Sequence, residues 1–308
     1  MTLVIGTDEA GYGPNLGPLV VAATAWDAAA EPAGVEDAFA GAAAGVKGLW
    51  GDSKQIFRGG HGFAALERGA LAGVCLANGG LPTTWSELAL ALGVEAGPPA
   101  AHAPDVAMLD LPREATRERC LAAADETAGR LAEQGLALRG VRCRAIQPRE
   151  FNDFLDQGLN KSDILSLITL ELATSLIAAD GGHEIVIWCD RHGGRMRYAP
   201  LVSRSFAAPL VQVIEETPLR SAYYVPERSC RIEFQVKGES RLPVALASMT
   251  AKYLRELAMH AFNAHWASKQ PGLRPTAGYP VDAARWRSEA AATVLREELA
   301  WDDLWRRA

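Results

Sequence analysis

Two adjacent carboxylates, Asp8 and Glu9, stand at the end of an apolar, strand-like run and open the stretch Gly6–Pro18, GTDEAGYGPNLGP. Burying an unpaired charge is costly, so two acids at the end of a buried strand call for a counter-charge. A metal ion is the usual one. Asp190 ends a later apolar run, Glu184–Cys189, and Glu239 sits in a turn just past another. Acids at the ends of neighbouring strands can converge on one point. Three or four carboxylates around one point suit Mg²⁺ or Mn²⁺, which prefer oxygen ligands. Two such ions about 4 Å apart can activate water and stabilise a leaving oxygen in phosphodiester hydrolysis. The glycines after Glu9 let backbone come close to a ligand.

The elements that must position these acids can be read along the chain. Leu3–Asp8 and Pro18–Trp26 read as strands joined by a Gly/Pro/Asn loop. Gly62–Ala77, Ser86–Leu92, Arg113–Gln134 and Asp163–Ala179 carry helical spacing, and Asp27–Gly45 is alanine-rich helix or loop. Gly79–Pro104 is otherwise loop-like, and Gly140–Ile146 is strand-like. Leu210–Glu215, Ala222–Val225 and Cys230–Val236 read as further strands. Pro243 can open a helix that continues over Val244–Asn263, and Ala283–Trp305 is helical. Strands and helices mix, with an apparent hairpin first, which implies an α/β layer with a mixed sheet.

Composition sets outer bounds. The 308 residues are 49% apolar and 22% charged, enough for a sizeable core. No leader pattern opens the chain, no apolar run is long enough for a membrane span, and the five cysteines form no CxxC pair. Together these imply a cytoplasmic protein without a disulfide framework, a zinc ribbon or a membrane partner. The net charge of −6 is uneven: residues 81–135 carry nine acids against four arginines, whereas residues 237–308 carry eleven basic and eight acidic side chains. Arg191, Arg195, Arg197 and Arg204 have no acid between them. A basic working surface with an acidic outlying segment fits this distribution, as does an evenly solvated surface.

The order of motifs resembles type 2 ribonuclease H (ribonuclease HII). The resemblance runs through Asp8-Glu9-Ala10-Gly11-Tyr12-Gly13-Pro14, Gly17-Pro18, Asp52-Ser53-Lys54, Asp190, Lys237-Gly238-Glu239-Ser240, Ala247 to Glu256, and Gly278-Tyr279-Pro280-Val281-Asp282. It covers roughly residues 1–75 and 136–290. It implies a ribonuclease H-like α/β fold, a mixed central sheet flanked by helices. One domain would span residues 1–308, with an inserted acidic segment at about 78–135 and a helical portion at about 264–308. The implied activity is metal-dependent hydrolysis of the RNA strand of an RNA–DNA hybrid, or at a ribonucleotide embedded in duplex DNA, leaving 5′-phosphate and 3′-hydroxyl ends. Asp8, Glu9, Asp190 and Glu239 would hold two Mg²⁺ or Mn²⁺ ions. Gly11 and Gly13 would bring backbone to the ribose 2′-hydroxyl, which separates RNA from DNA. Tyr279 would pack on the sugar, and Lys54 and Lys252 would meet phosphates or acids.

The chain departs from the family pattern at three site positions: Tyr12 stands where the family usually has Arg or Lys, and Glu239 and Glu256 stand where it has Asp. The segment 191–228 is also longer than the pattern expects. A divergent branch with a shifted substrate is implied. A silent nucleic-acid-binding protein on the same fold, and a nuclease that cuts DNA or branched structures, are the alternatives. Simpler readings stand beside each residue. Glu239 could be a solvated turn acid, Lys252 and Glu256 a surface pair at i, i+4, and Tyr279 a packing aromatic. His192 could shuttle a proton or be an exposed loop residue. The loop arginines could bind phosphates or water, and the eight tryptophans read mainly as core.

Overall fold

A computed structural model describes residues 1–58, 62–94, 109–177 and 183–307. Seven strands form one sheet: β1 (Thr2–Ala10), β2 (Leu19–Ala28), β3 (Leu136–Ile146), β4 (Glu184–Asp190), β5 (Gln212–Glu216), β6 (Arg220–Val225) and β7 (Cys230–Gln235). Their order is β3-β2-β1-β4-β7-β6-β5. Only the β1–β4 and β4–β7 pairs are parallel; the rest are antiparallel. The sheet is therefore mixed, and with helices on it forms the ribonuclease H-like α/β fold expected. Residues 191–228 form a helix and the β5–β6 hairpin, which lies at one edge of the sheet.

The helices are α1 (Val35–Gly45), α2 (Ser53–Arg58), α3 (Gly62–Asn78), α4 (Trp85–Leu92), α5 (Arg117–Glu133), α6 (Pro148–Asp156), α7 (Lys161–Ser175), α8 (Ala199–Phe206), α9 (Leu242–Lys269), α10 (Pro280–Arg296) and α11 (Trp301–Leu304). Local chemistry fixes several starts. Thr84 and Thr116 cap α4 and α5, and Asn160 with Asp163 forms a capping box on α7. The C-terminal helical stretch is two helices, because the chain turns at Glu298, which has φ of 56°.

β1 and β4 lie in the sheet centre with both faces covered, so they read as near-continuous apolar runs. On one face Val4, Val186 and Trp188 pack with α9, α3 and α1. On the other, Leu3, Ile5 and Ile187 pack with α7 and α8. The helix α9 is buried along almost its whole first half, and Thr24 of β2 donates its hydroxyl to the Pro243 carbonyl at 2.9 Å. Six tryptophans are core residues, Trp26, Trp50, Trp85, Trp188, Trp266 and Trp286.

The described parts of the acidic segment share the main core through Leu81, Trp85, Leu88, Leu92, Leu111, Cys120 and Leu131. Buried Glu67 of α3 anchors it, accepting from the amides of Arg113, Glu114 and Ala115 and from the Tyr253 hydroxyl. The loop expected over residues 95–104, and the expected end of α7 at 178–179, lie outside the described residues. The second half of α9 and α10 build a separate small core around Phe262, Trp266 and Trp286, into which Leu16 inserts from the glycine loop. No described helix is long and apolar enough to cross a membrane. All five cysteines are free.

Candidate metal centre

Strand register brings the first acids together. Thr7 of β1 pairs with Cys189 of β4, so Asp8 and Asp190 follow one step later on adjacent parallel strands. Side chains alternate along a strand, so both point to the face that α9 covers, where Val4 and Trp188 also point. Glu9 starts on the opposite face, but its longer side chain reaches the same point. One carboxylate oxygen from each of Asp8, Glu9 and Asp190 lies within 4.8 Å of the others.

The surroundings hold two of these groups in place. Asp8 Oδ1 accepts from the Glu9 amide at 2.7 Å, and Ser248 of α9 also donates to Asp8. The Ser248 hydroxyl lies 3.0 Å from that of Ser53, so the Asp52-Ser53-Lys54 turn is tied to the centre through α9. Asp190 Oδ1 accepts from the Gly238 amide at 2.8 Å. A Cβ at position 238 would come to 3.0 Å from Asp190 Cα, so a larger residue there would press on the Asp190 backbone. Glu9 Oε2 is buried and has no hydrogen-bond partner.

Burial, together with the Asp190 and Glu239 charges, pushes the Asp8 carboxyl up to about 7, against the pull of Ser248 and the Glu9 amide. Glu9 is raised well above the carboxylate range, first by burial and then by the charges of Asp8 and Asp190. Asp190 is raised by burial and by Glu239, with the Gly238 amide opposing. Lys54 is the nearby cation that favours ionised Glu9 and Asp190. Three crowded carboxylates, each costly to ionise and one with an orphaned oxygen, fit a hard divalent cation.

These acids form the floor of an open cavity of about 250 Å³. Ten of the residues singled out in the sequence line it: Asp8, Glu9, Asp190 and Glu239, the loop residues Gly11, Tyr12 and Gly13, and Lys54, Lys252 and Tyr279. Glu239 stands outside the tight group of three, half-buried, in the 3₁₀ turn Gly238–Ser240. The Lys252 ammonium sits 4.3 Å from the Phe57 ring centroid, and Glu256 lines the cavity one turn later. Tyr279 is 55% exposed at the mouth.

Arg255 and Ser248 belong to the cavity wall and carry no individual role in the sequence reading. Arg255 is buried, donates to the Ala277 carbonyl at 2.9 Å and lies 5.8 Å from the Tyr279 ring centroid. It backs the loop as well: Gly11 has φ of +88°, and a Cβ there would meet Arg255 Cδ at 2.8 Å and the Pro18 carbonyl at 2.6 Å. A Cβ at Gly13, by contrast, would point into open space over the cavity. The signal for Ser248 was the helical spacing from Ser248 to Lys252, which puts both on one face.

Two expectations for the following loop change. His192 is buried rather than exposed; its Nδ1 lies 2.8 Å from Ser166 Oγ, and burial lowers its pKa to about 3, so it is a neutral packing residue away from the cavity. Of the arginines, Arg195 pairs with Asp163, and Arg191 donates to the Thr217 and Pro218 carbonyls. Both tie down the loop. Arg197 remains 86% exposed.

No family model matches the chain, and no curated protein matches it. Among the solved structures to which it is similar are three ribonucleases H. With Bst ribonuclease HIII in complex with Mn²⁺ it shares 17% identity at a TM-score of 0.45, over 99% of this chain and 66% of that one. With ribonuclease HII from Archaeoglobus fulgidus, solved with PCNA, it shares 15% at 0.42, over 99% and 94%. With ribonuclease H2 from Pyrococcus horikoshii it shares 13% at 0.49, over 98% and 92%. The chain thus spans about two thirds of the Bst enzyme's length. The fold is assigned on the strand order and directions of the sheet itself.

Proposed function

We propose that this chain is a metal-dependent endonuclease that hydrolyses the RNA strand of RNA–DNA hybrids, or cuts at ribonucleotides embedded in duplex DNA, leaving 5′-phosphate and 3′-hydroxyl ends. The observation that carries this reading is the crowding of Asp8, Glu9 and Asp190 at the floor of an open cavity, with Glu9 Oε2 lacking any partner. These three, with Glu239 beside them, would hold Mg²⁺ or Mn²⁺. Bound there, the metal would supply an activated water and charge stabilisation at the departing 3′-oxygen.

The chain's own residues do the rest. Ser248 and the Glu9 and Gly238 amides fix two carboxylates by hydrogen bonds, so little reorganisation is needed on loading. Lys54 lowers the cost of ionising Glu9 and Asp190. The open space over Gly13 leaves room for a ribose against loop backbone. Tyr279, resting on Arg255, offers an exposed ring face to a sugar at the cavity mouth. Lys252, which lines the cavity, would meet a phosphate. In this reading the whole chain works as one domain, with about 78–135 an insertion braced by Glu67 and about 264–308 a helical portion that supports the loop.

The test is cleavage of four end-labelled duplexes in Mg²⁺ and in Mn²⁺: an RNA–DNA hybrid, DNA with one ribonucleotide, all-DNA and all-RNA. We expect cleavage only where a ribonucleotide is present, and none with Asp8→Asn. Cleavage of all-DNA would show a nuclease indifferent to the 2′-hydroxyl. Duplex binding without cleavage in either metal would show a silent binding protein.

A further inference from the structure

Two cationic side chains behind the glycine loop, Arg306 and Lys161, have no carboxylate partner among the described residues. Arg306 is 1% exposed. Its Nη2 donates to the Gly11 carbonyl at 2.6 Å and its guanidinium lies 5.2 Å from the Phe151 ring centroid, but its Nε and Nη1 have no hydrogen-bond partner. Lys161 stands near enough for the two charges to repel. Lys161 occupies the first turn of the 15-residue helix α7, the positive end of the helix dipole, where a cation is disfavoured. Its ammonium lies 5.4 Å from the Tyr12 ring centroid, on the loop that borders the carboxylates.

Neighbouring acids do not offset this charge. Asp163 pairs with Arg195, Asp156 with Arg307, and Asp303 with Arg149. Among the described residues no carboxylate comes within ion-pair distance of Lys161 or Arg306. A half-buried lysine at the positive end of a helix, beside an arginine with orphaned donors, is a pair of cations that an anion from outside the chain would stabilise.

We propose that Lys161, reinforced by the buried charge of Arg306, is a binding point for a backbone phosphodiester of the substrate duplex beside Tyr12. The proposal rests on the nuclease reading above and adds a specific contact to it. Tyr12 brings no charge to the loop, and Lys161 supplies one across its ring. Arg306 is a positioning residue: it holds the Gly11 carbonyl and keeps the field positive, while Lys161 makes the contact.

The test is fluorescence anisotropy of a labelled RNA–DNA hybrid with Ca²⁺ present, over a salt series, for the wild type, Lys161→Ala, Lys161→Arg and, as a control for loss of one exposed positive charge, Lys47→Ala. Each phosphate neutralised contributes about 0.9 to the slope of log affinity against log salt on duplex DNA. We expect the slope to shrink by about 0.9 in Lys161→Ala, to persist in Lys161→Arg, and to be unchanged in Lys47→Ala. Tyr12→Arg placed on Lys161→Ala should restore it. Tight wild-type binding with an unchanged slope in Lys161→Ala overturns this proposal and leaves the nuclease reading standing. No duplex binding by the wild type overturns both.

Discussion

Replacing Asp8 by asparagine should make the metal-free protein more stable. In the wild type at pH 8, Asp8, Glu9 and Asp190 present carboxylate oxygens within 4.8 Å of one another. Two unit charges at that separation repel by about 3 kcal/mol at an effective dielectric of 20. Protonation gives a second measure. The Asp8 carboxyl is raised from 3.8 to about 7, chiefly by burial and then by Asp190. Each unit is worth about 1.4 kcal/mol, so ionising Asp8 in the folded state costs about 4 kcal/mol more than in the unfolded chain.

The sign follows from proton counting. Between pH 4 and 7 the folded state holds a proton that the unfolded chain has lost, so stability falls as pH rises through that window and levels off above it. Asparagine keeps an oxygen for the Glu9 amide and carries no charge. In chelator at pH 8 we therefore expect Asp8→Asn to gain about 2–4 kcal/mol in urea unfolding, with a gain that shrinks towards pH 4. Adding Mn²⁺ should stabilise the wild type and close the gap, because a ligand bound by the folded state alone raises its stability. A variant no more stable than wild type in chelator at pH 8, or a gain independent of pH, would refute the view of these acids as a mutually repelling cluster.

Gly238→Ala should cut cleavage at least tenfold while leaving the melting temperature within a few degrees, because the new methyl presses on Asp190 from a short 3₁₀ turn outside the main core; circular dichroism beside the duplex assay separates the two. Glu67→Gln should destabilise by about 3 kcal/mol, since a buried carboxylate taking three amides and a phenol loses its charge and acceptor match; activity per folded molecule should hold, and equal stability would deny the bracing role. Burial alone would raise the carboxyl of Glu233, but hydrogen bonding to Arg220 and the charges of Arg220 and Arg241 bring it below its usual value. Its contribution is present above about pH 4.5 and lost as pH falls through its lowered folded value. Glu233→Gln should flatten that part of the acid unfolding curve.

Much of the site was legible because strand ends and turn chemistry are written locally. The apolar runs before Asp8 and Asp190 gave both acids as strand ends, and parallel neighbouring strands then bring such ends together. The helix after Pro243 was readable from spacing, so Lys252 and Glu256 were on the same face from the start. What was hidden depends on contacts across the chain. Ser248 joins Asp8 only because α9 crosses β1, and Arg255 supports Tyr279 only because residues 276–280 return to α9. His192 looked like a loop residue beside an acid, but Ser166 of α7, 26 positions earlier, sequesters it. The loop arginines likewise looked free because their partners, Asp163 and the 217–218 carbonyls, are distant in sequence. The acidic segment looked peripheral by charge, yet its sparse apolar residues were enough to join the main core.

The glycine loop is held by residues nearly three hundred positions away. The Asn15 and Leu16 amides donate to the Gly278 carbonyl, Asn15 exchanges hydrogen bonds with the Arg306 backbone, and Arg306 grips Gly11. On the ribosome the acids of β1 emerge first, while the latch that sets the adjoining loop emerges close to three hundred codons later. A nascent chain that has already paired β1 with β4 would still carry an unset loop, and so would stay inactive towards nucleic acid beside it. Stalled chains ending at residue 296 should show protease cleavage within residues 11–16 that chains extended past residue 306 resist. Equal protection in both would mean that the loop sets without its latch.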